Sequence, residues 1–318
     1  MRGRAVLVAY LAAAIGAALV AVPVARLVLP GPAGAAPPAP TTPSAPVFTP
    51  NLQVAGQPSP PPATVHAPAD PAAIKAPGYV TFFGWSLLDR HSGAATGSAN
   101  RENVTNTAES MIKVWIVADY LRHHGPAAAS AIPELTKVIV NSDDDLAYKF
   151  YEQDGGDGAI RELVSVCGLH STRPPYLADR WSYTTISPAD AMRLGQCVAS
   201  GTAAGPNWTN WLLDTMRKVN GGVADQQRSS GGGHWGIIDA LPPAMVAQTS
   251  IKNGWTPQTY DHDWHVNCLA IHPDWVLAIE LRYPWTSLDG NWEHANNLQQ
   301  GADACASVTR QLLTPPDI

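Results

Sequence analysis

A serine and a lysine lie three residues apart in the run Ser110-Met111-Ile112-Lys113. The residues from 110 to 122 are almost all apolar, which predicts a helix buried on every side. Residues three apart share one face of a helix, so this hydroxyl and this amine are expected to be neighbours near the helix start. The helix dipole favours a nucleophile there, and a lysine whose pKa is lowered by burial can accept its proton. The pair therefore suits nucleophilic catalysis, although such a pair alone also arises by chance.

Two further polar groups follow along the chain. Ser142-Asp143-Asp144 opens a predicted helix, and Lys252-Asn253-Gly254-Trp255 lies on a predicted strand that two more strands follow. Each group carries a hydroxyl or an amine beside other polar residues, so each is a candidate for a functional site. The 142–144 group is equally typical of a helix cap with acids in the first turn, so both interpretations stay open.

The elements that must position these residues follow from the apolar pattern. Strands at both ends of the folded part and helices between them predict an α+β fold, an antiparallel sheet flanked by helices plus a helical subdomain, with a cleft between the two parts. The predicted strands cover 79–88, 249–255, 264–271 and 275–283, and the predicted helices cover 110–122, 143–153, 158–167, 207–219 and 293–313, with one more beginning at Ser187-Pro188.

The three polar groups stand in the order, and on the types of element, of the three signatures of the serine β-lactamase and penicillin-binding protein superfamily. The segments 88–93 and 184–188 also resemble the opening hairpin of class A β-lactamases and the end of their omega loop. The resemblance covers residues 79 to 313 and is strongest to a mycobacterial group of exported β-lactamase-like lipoproteins. It implies a β-lactamase or D,D-peptidase-like fold and an acyl-serine hydrolase that needs no cofactor.

The resemblance also implies the catalytic roles. Ser110 would be the acylated nucleophile, and Lys113 would accept its proton. Ser142 would relay a proton to the leaving nitrogen.

It implies substrate-binding roles for the third group. Lys252 would attract the substrate carboxylate, with Asn253 in place of the usual threonine as a second donor. Gly254 would let the strand approach the substrate. The backbone amides of Ser110 and Trp255 would form the oxyanion hole.

Two departures from the family pattern limit the function that can be expected. Asp144 replaces the usual asparagine, and a carboxylate there opposes the use of Lys113 as a base and removes an amide donor for the substrate. The two residues could instead form a structural ion pair. The counterpart of the omega loop, residues 171–183, contains no glutamate, and Asp179 is its one carboxylate. We therefore expect deacylation to be slow or lost.

The composition divides the chain near residue 76. Two arginines precede an apolar run in residues 1–30, which is typical of an export signal and is also long enough for an uncleaved membrane anchor. Residues 31–76 are rich in Pro and Ala and predict a linker, and residues 77–318 predict the folded domain. The net charge of −6 without a basic run argues against a nucleic-acid partner.

Export bears on the four cysteines, because an oxidising compartment favours disulfides. Cys167 and Cys197 lie in the helical middle and Cys268 and Cys305 in the C-terminal part, so pairing within each region is favoured over four buried free thiols. The spacing does not resemble a zinc site. The run 261–265 has two aspartates and two histidines but falls in a predicted turn without further ligands, so no metal site is predicted.

Two functions remain in view. The first is an extracytoplasmic acyl-serine hydrolase acting on peptidoglycan stem peptides or β-lactams, with slow deacylation. The second is a catalytically inactive binding module of the cell envelope with the same fold. An ordinary class A β-lactamase is a third hypothesis, and it would require Asp179 as an unrecognised base.

Overall fold

The computed structural model describes residues 64–177, 179–226, 231 and 233–314. The predicted export or anchor segment, residues 1–30, lies outside the described residues, as does the linker up to residue 63. No helix within the described residues is both long and apolar enough to cross a membrane.

The folded part begins earlier than the composition predicted. Strand β1 (Thr64–Val65) pairs antiparallel with β10 (Leu313–Thr314), and the side chains of Val65 and Ile74 are buried. The predicted boundary between linker and domain at residue 76 is therefore wrong. A Pro- and Ala-rich composition conceals the two apolar side chains that attach residues 64–76 to the domain.

The central sheet joins strands from the two ends of the folded part, as predicted. Its order is β3-β2-β9-β8-β6, and β7 pairs with β8 as well. All its pairings are antiparallel. Its strands, together with the short pair β4 and β5 that lies beside it, are β2 (Phe82–Asp89), β3 (Ala95–Gly97), β4 (Asn106–Thr107), β5 (Thr185–Ile186), β6 (Ser250–Ile251), β7 (Gly254–Pro257), β8 (Asp263–Ile271) and β9 (Trp275–Pro284).

Helices make up the middle of the chain and its C-terminal end. They are α1 (Lys113–His124), α2 (Ile132–Val140), α3 (Asp144–Gln153), α4 (Asp157–Cys167), α5 (Pro188–Ala199), α6 (Pro206–Met216), α7 (Val223–Gln226), α8 (Pro243–Val246) and α9 (Leu298–Leu312). The predicted C-terminal helix thus starts at residue 298 and not at 293. Helix α1 has α2, α3, α4 and α6 around it, which explains why its sequence has no polar face.

Two helices cover opposite faces of the sheet. A Cβ on Gly195 of α5 would lie 2.5 Å from Val276, and a Cβ on Gly301 of α9 would lie 2.7 Å from the Tyr283 hydroxyl. Val276 and Tyr283 are an odd number of positions apart on β9, so they point to opposite faces. The predicted α+β class, with helices flanking an antiparallel sheet and a helical subdomain, is confirmed.

Both disulfides form within the regions that the sequence favoured. Cys167–Cys197 joins the end of α4 to α5, and Cys268–Cys305 joins β8 to α9. The second bridge fixes the C-terminal helix on the strand that pairs with β7. The disulfide prediction is confirmed.

Candidate active site

Ser110 lies in a 3-10 helix, Glu109–Ile112, which continues into α1 at Lys113. The predicted helix therefore begins with one tighter turn. Ser110 is half-buried and lines a cleft of about 630 Å³, with Ser142, Asp144 and Trp255 among the other lining residues. Among the described residues no side chain hydrogen-bonds the Ser110 hydroxyl. The nucleophile candidate thus faces open space at the junction of the helical subdomain and the sheet.

Lys113 is fully buried beside this serine, but its contacts are on the other side of the cleft. Its Nζ donates to the Ser142 carbonyl at 2.5 Å and to Ser142 Oγ at 3.0 Å, and it forms an ion pair with Asp144. An ammonium has three donors, and these contacts use all three. Burial lowers the pKa of Lys113, and the Asp144 carboxylate opposes that lowering without reversing it.

Ser142 accepts hydrogen bonds from both lysines of the cleft. Its Oγ lies 3.0 Å from Lys113 Nζ and 2.9 Å from Lys252 Nζ. Its φ of 54° is in the left-handed region, a conformation of non-glycine residues that is concentrated at functional sites. The helix cap is the next residue, because Asp143 accepts from the Leu146 amide at 2.9 Å. The cap and the catalytic candidate are thus different residues of one motif.

Lys252 lies where the predicted strand is broken into β6 and β7. It is fully buried, and its Nζ also donates to the Asn253 carbonyl at 3.2 Å. Burial first, and then the neighbouring charge of Lys113, lower its pKa well below the ordinary value. Trp255 forms the adjoining wall of the cleft, with its ring centroid 6.0 Å from Lys252 Nζ.

Gly254 allows β7 to lie against the 3-10 helix of the nucleophile. A Cβ at this position would come within 2.5 Å of the Ala108 carbonyl oxygen and 2.9 Å of the Ser110 nitrogen, distances that real side chains do not adopt. The glycine is therefore required for the close approach of the two backbones whose amides were assigned to the oxyanion hole.

Asn253 does not face the cleft. Its Nδ2 donates to the carbonyls of Gly233 and Trp235, both at 2.8 Å, and the residue is buried. Both amide protons are therefore used to hold the segment that precedes the strands. The predicted role of Asn253 as a donor to a substrate carboxylate is corrected to a structural one.

The loop of residues 171–183 forms one wall of the cleft. Its first residues are anchored by the buried Asp190 of α5, whose carboxylate accepts from the backbone amides of Ser171 at 2.7 Å and Thr172 at 2.8 Å. Its later part lines the cleft through Asp179 and Trp181. Asp179, the loop's one carboxylate, is exposed to solvent.

A buried glutamate in the cleft wall was missed by the sequence analysis. Glu109, directly before Ser110, lines the cleft and is only 1% exposed. Its carboxylate accepts from Thr107 Oγ1 at 2.5 Å, Thr256 Oγ1 at 2.7 Å and Gln258 Nε2 at 2.7 Å. Burial raises its pKa to about 7, against the three hydrogen bonds. An acidic residue next to the serine of an apolar run was the signal in the sequence.

One cluster of metal-ligand types occurs among the described residues, away from the cleft. The ligand atoms of Asp119, His123 and Glu162 lie within 4.8 Å of one another. The Arg122 guanidinium lies among them, paired with Asp119 and bonded to Glu162 at 2.7 Å. A cation of the chain itself therefore already bridges the two carboxylates of the cluster.

Comparison with known proteins shows which sequences this chain resembles. No protein-family model matches the chain. Its sequence is 27% identical over 211 residues to proteins of Mycobacterium tuberculosis and Mycobacterium bovis designated lipoprotein LppW, over 63% of this chain and 62% of theirs. The chain thus matches less than two thirds of the length of these relatives.

Solved structures with the same fold are more numerous. A class A β-lactamase from Mycobacterium abscessus aligns with a TM-score of 0.53 and 15% identity, over 73% of this chain and 92% of its own. A point mutant of PBP-A, in an acyl-enzyme complex with penicillin G, aligns with a TM-score of 0.54 and 14% identity, over 74% of this chain and 90% of its own. The expected resemblance is confirmed, and the chain has the fold of the serine β-lactamase and penicillin-binding protein superfamily.

Proposed function

We propose that the protein is an exported acyl-serine hydrolase that acts on peptidoglycan-type peptides or β-lactams and releases its acyl group slowly. The observation that carries this proposal is the convergence of four side chains from separate elements at one cleft, where the two serines line the cleft and the two lysines are buried behind Ser142. Ser110, Lys113, Ser142 and Lys252 come from the 3-10 helix, α1, the start of α3 and the β6–β7 break, and the two lysines share the Ser142 hydroxyl.

Acylation would proceed through these groups. Ser110 Oγ attacks the substrate carbonyl and loses its proton, and a neutral lysine amine accepts it. Ser142, held by both lysines, passes a proton to the leaving nitrogen. The backbone amides beside Gly254 stabilise the oxyanion, because β7 and the nucleophile's helix are in contact there.

The substrate class follows from the charge and shape of the cleft. Lys252 provides a buried positive centre when protonated, which suits a carboxylate, and Trp255 and Trp181 provide apolar walls. The PBP-A relative is described in complex with penicillin G, and the LppW relatives are designated lipoproteins. These names support a substrate of the penicillin or stem-peptide type and a place outside the cytoplasm, secreted or attached through residues 1–30.

Slow deacylation rests on what the loop of residues 171–183 lacks. Residues 171–183 contain no glutamate to activate water, and the loop's carboxylate, Asp179, is exposed. Asp144 also places a negative charge where an amide donor would polarise the substrate carbonyl. We therefore expect an acyl-enzyme that accumulates instead of turning over rapidly.

The second candidate is an inactive binding module of the cell envelope with the same cleft. The Lys113–Asp144 ion pair favours it, because a protonated lysine cannot accept the proton of Ser110. The open cleft beside Ser110 favours the enzyme, because the ion pair does not fill it.

Intact mass after incubation with benzylpenicillin separates the two. A hydrolase gives a stable adduct on the wild-type chain and none on Ser110→Ala. The binding module gives no adduct at any penicillin concentration or pH, and that result would overturn the proposed function.

A further inference from the structure

The ring of Trp181 lies over the charged end of Lys113. The Lys113 Nζ is 4.9 Å from the ring centroid, within the range in which an aromatic face attracts a cation. Lys113 is fully buried and Trp181 is only 8% exposed, so solvent screens this attraction little. In the acylation steps described above, Trp181 has no role other than that of an apolar wall.

Backbone hydrogen bonds fix the position of this ring. Trp181 begins a short 3-10 helix, Trp181–Tyr183, and its carbonyl accepts from the Thr184 amide at 3.1 Å. The Thr184 carbonyl in turn accepts from the amide of Ala108, two residues before Ser110, at 2.7 Å. Beside this contact β4 pairs with β5. The end of the loop is therefore attached to the backbone that carries the nucleophile.

The ring completes the surroundings of the Lys113 ammonium. The three donors of the ammonium are already used by the Ser142 carbonyl, Ser142 Oγ and Asp144. The ring therefore accepts none of these protons and acts through the negative face of its π system. Such a face favours the charged form of a desolvated lysine and does not itself titrate.

Charged groups of other elements also face Lys113. Burial lowers the pKa of Lys113, and three carboxylates from the start of α3 and the nucleophile's helix oppose that lowering: Asp144, Asp143 and Glu109. Lys252, from the β6–β7 break, is a second buried cation, and the two lysines repel each other when both are charged. None of these interactions changes when only the electron density of an aromatic ring is altered.

The charged residues of the loop itself have a smaller effect. Asp179 and Arg180 line the same cleft, but they have opposite signs and both are exposed, so solvent screens them. The contribution of the loop to the charge of Lys113 is therefore mainly that of the Trp181 ring.

We propose that Trp181 is a positioning residue of the proposed active site. Its ring holds the Lys113 ammonium beside Ser142 and Asp144 and favours the charged form, and it thereby opposes transfer of the Ser110 proton to Lys113. Acylation needs the neutral amine, because only that form accepts a proton from the serine hydroxyl. The ring therefore slows acylation at neutral pH. This inference rests on the proposed function.

The test weakens the ring face while its shape is kept. Fluorine withdraws electron density from an aromatic ring, so mono-, di- and trifluorinated tryptophans attract a cation progressively less. The chain has 11 tryptophans, so each analogue is inserted at position 181 alone in the full chain. The same analogues at Trp211, a half-buried residue of α6 outside the cleft, are the matched control.

Two quantities are measured as a function of pH. NMR of isotopically labelled lysine side chains gives the titration midpoint of Lys113, whose signal is the one lost in Lys113→Arg. Intact mass gives the rate of labelling by benzylpenicillin. Fluorination at position 181 should lower the midpoint and move the rise of the labelling rate to lower pH, by about one pH unit for the trifluorinated ring. The analogues at Trp211 should leave both quantities unchanged.

Two ordinary substitutions provide a second measure. Trp181→Phe keeps an aromatic face and Trp181→Leu has none, while both leave space for water next to Lys113. The Lys113 midpoint and the rise of the labelling rate should therefore lie at lower pH in Trp181→Leu than in Trp181→Phe. A purely structural role of Trp181 predicts the same pH dependence in both variants.

The outcomes are distinguishable. A Lys113 midpoint that does not fall with fluorination overturns the inference. A midpoint that falls without any shift of the labelling profile also overturns it, because the charge of Lys113 would then not limit acylation. Absence of any benzylpenicillin adduct on wild type overturns the proposed function, and the midpoint of Lys113 then still decides whether the ring favours its charged form.

Discussion

Replacing Asp144 by asparagine is expected to accelerate acylation of Ser110. The change removes the ion pair with Lys113 and places an amide donor where the substrate carbonyl lies. The Asp144 side chain is 59% exposed, so its charge is strongly screened and the ion pair contributes only about 0.2–1 kcal/mol. A regained neutral hydrogen bond to the substrate adds about 0.5–1.5 kcal/mol.

Together these effects amount to about 1–2 kcal/mol of barrier, which is about 5- to 30-fold in rate. The assay is the second-order rate of labelling by a fluorescent penicillin, with the adduct quantified on the intact protein. Asp145→Asn is the matched control, because it removes a neighbouring charge from the same helix turn outside the cleft. Labelling of Asp144→Asn that is no faster than that of Asp145→Asn would refute the reasoning.

Three other changes have defined outcomes. Gly254→Ala forces a methyl against the Ser110 amide, so penicillin labelling should fall at least tenfold. The free energy of unfolding in urea should fall by about 1–3 kcal/mol. Undiminished labelling would contradict the close approach of the two backbones. Replacing Cys167 and Cys197 together by alanine opens a 30-residue loop and should lower the free energy of unfolding by about 3 kcal/mol in the same assay. An unchanged urea midpoint would show that the bridge is dispensable. Burial raises the pKa of Asp154 to about 8, so the stabilisation present at low pH is lost as the pH rises toward 8. Asp154→Asn should remove most of that loss between pH 5 and pH 8 in the same urea unfolding assay, and an unaltered pH slope would contradict this.

Local signals in the sequence predicted the features, such as helix caps and buried helices, that depend on residues close together along the chain. Ser187 caps α5 by accepting from the Asp190 amide, as the Ser-Pro start indicated. The apolar run after Ser110 is buried on every side. The motif order predicted that Ser142 and Lys252 would meet, although they are 110 residues apart, because the family resemblance carries long-range information that periodicity lacks.

Features set by long-range contacts were not predictable in the same way. The strand predicted over 249–255 is broken at Lys252 and Asn253, where β7 turns to lie against the nucleophile's helix. The direction of the Asn253 amide depends on two carbonyls 18 and 20 residues away. Glu109 drew no prediction from the sequence, because the partners that hold its carboxylate lie on β7 and just beyond it.

The geometry also bears on which lysine is neutral when Ser110 reacts. Lys113 and Lys252 both have their Nζ atoms within 3.0 Å of one oxygen, Ser142 Oγ. Two protonated lysines this close together repel each other in a buried site, so the doubly charged state is unfavourable. Asp144 forms an ion pair with Lys113, whereas Lys252 bonds to oxygens of Ser142 and Asn253 among the described residues. The ion pair therefore favours a charged Lys113 in the resting cleft, which opposes the base role that the family pattern implies for it. Because Asp144 holds this arrangement in place, Asp144→Asn tests the proton placement as well as the rate.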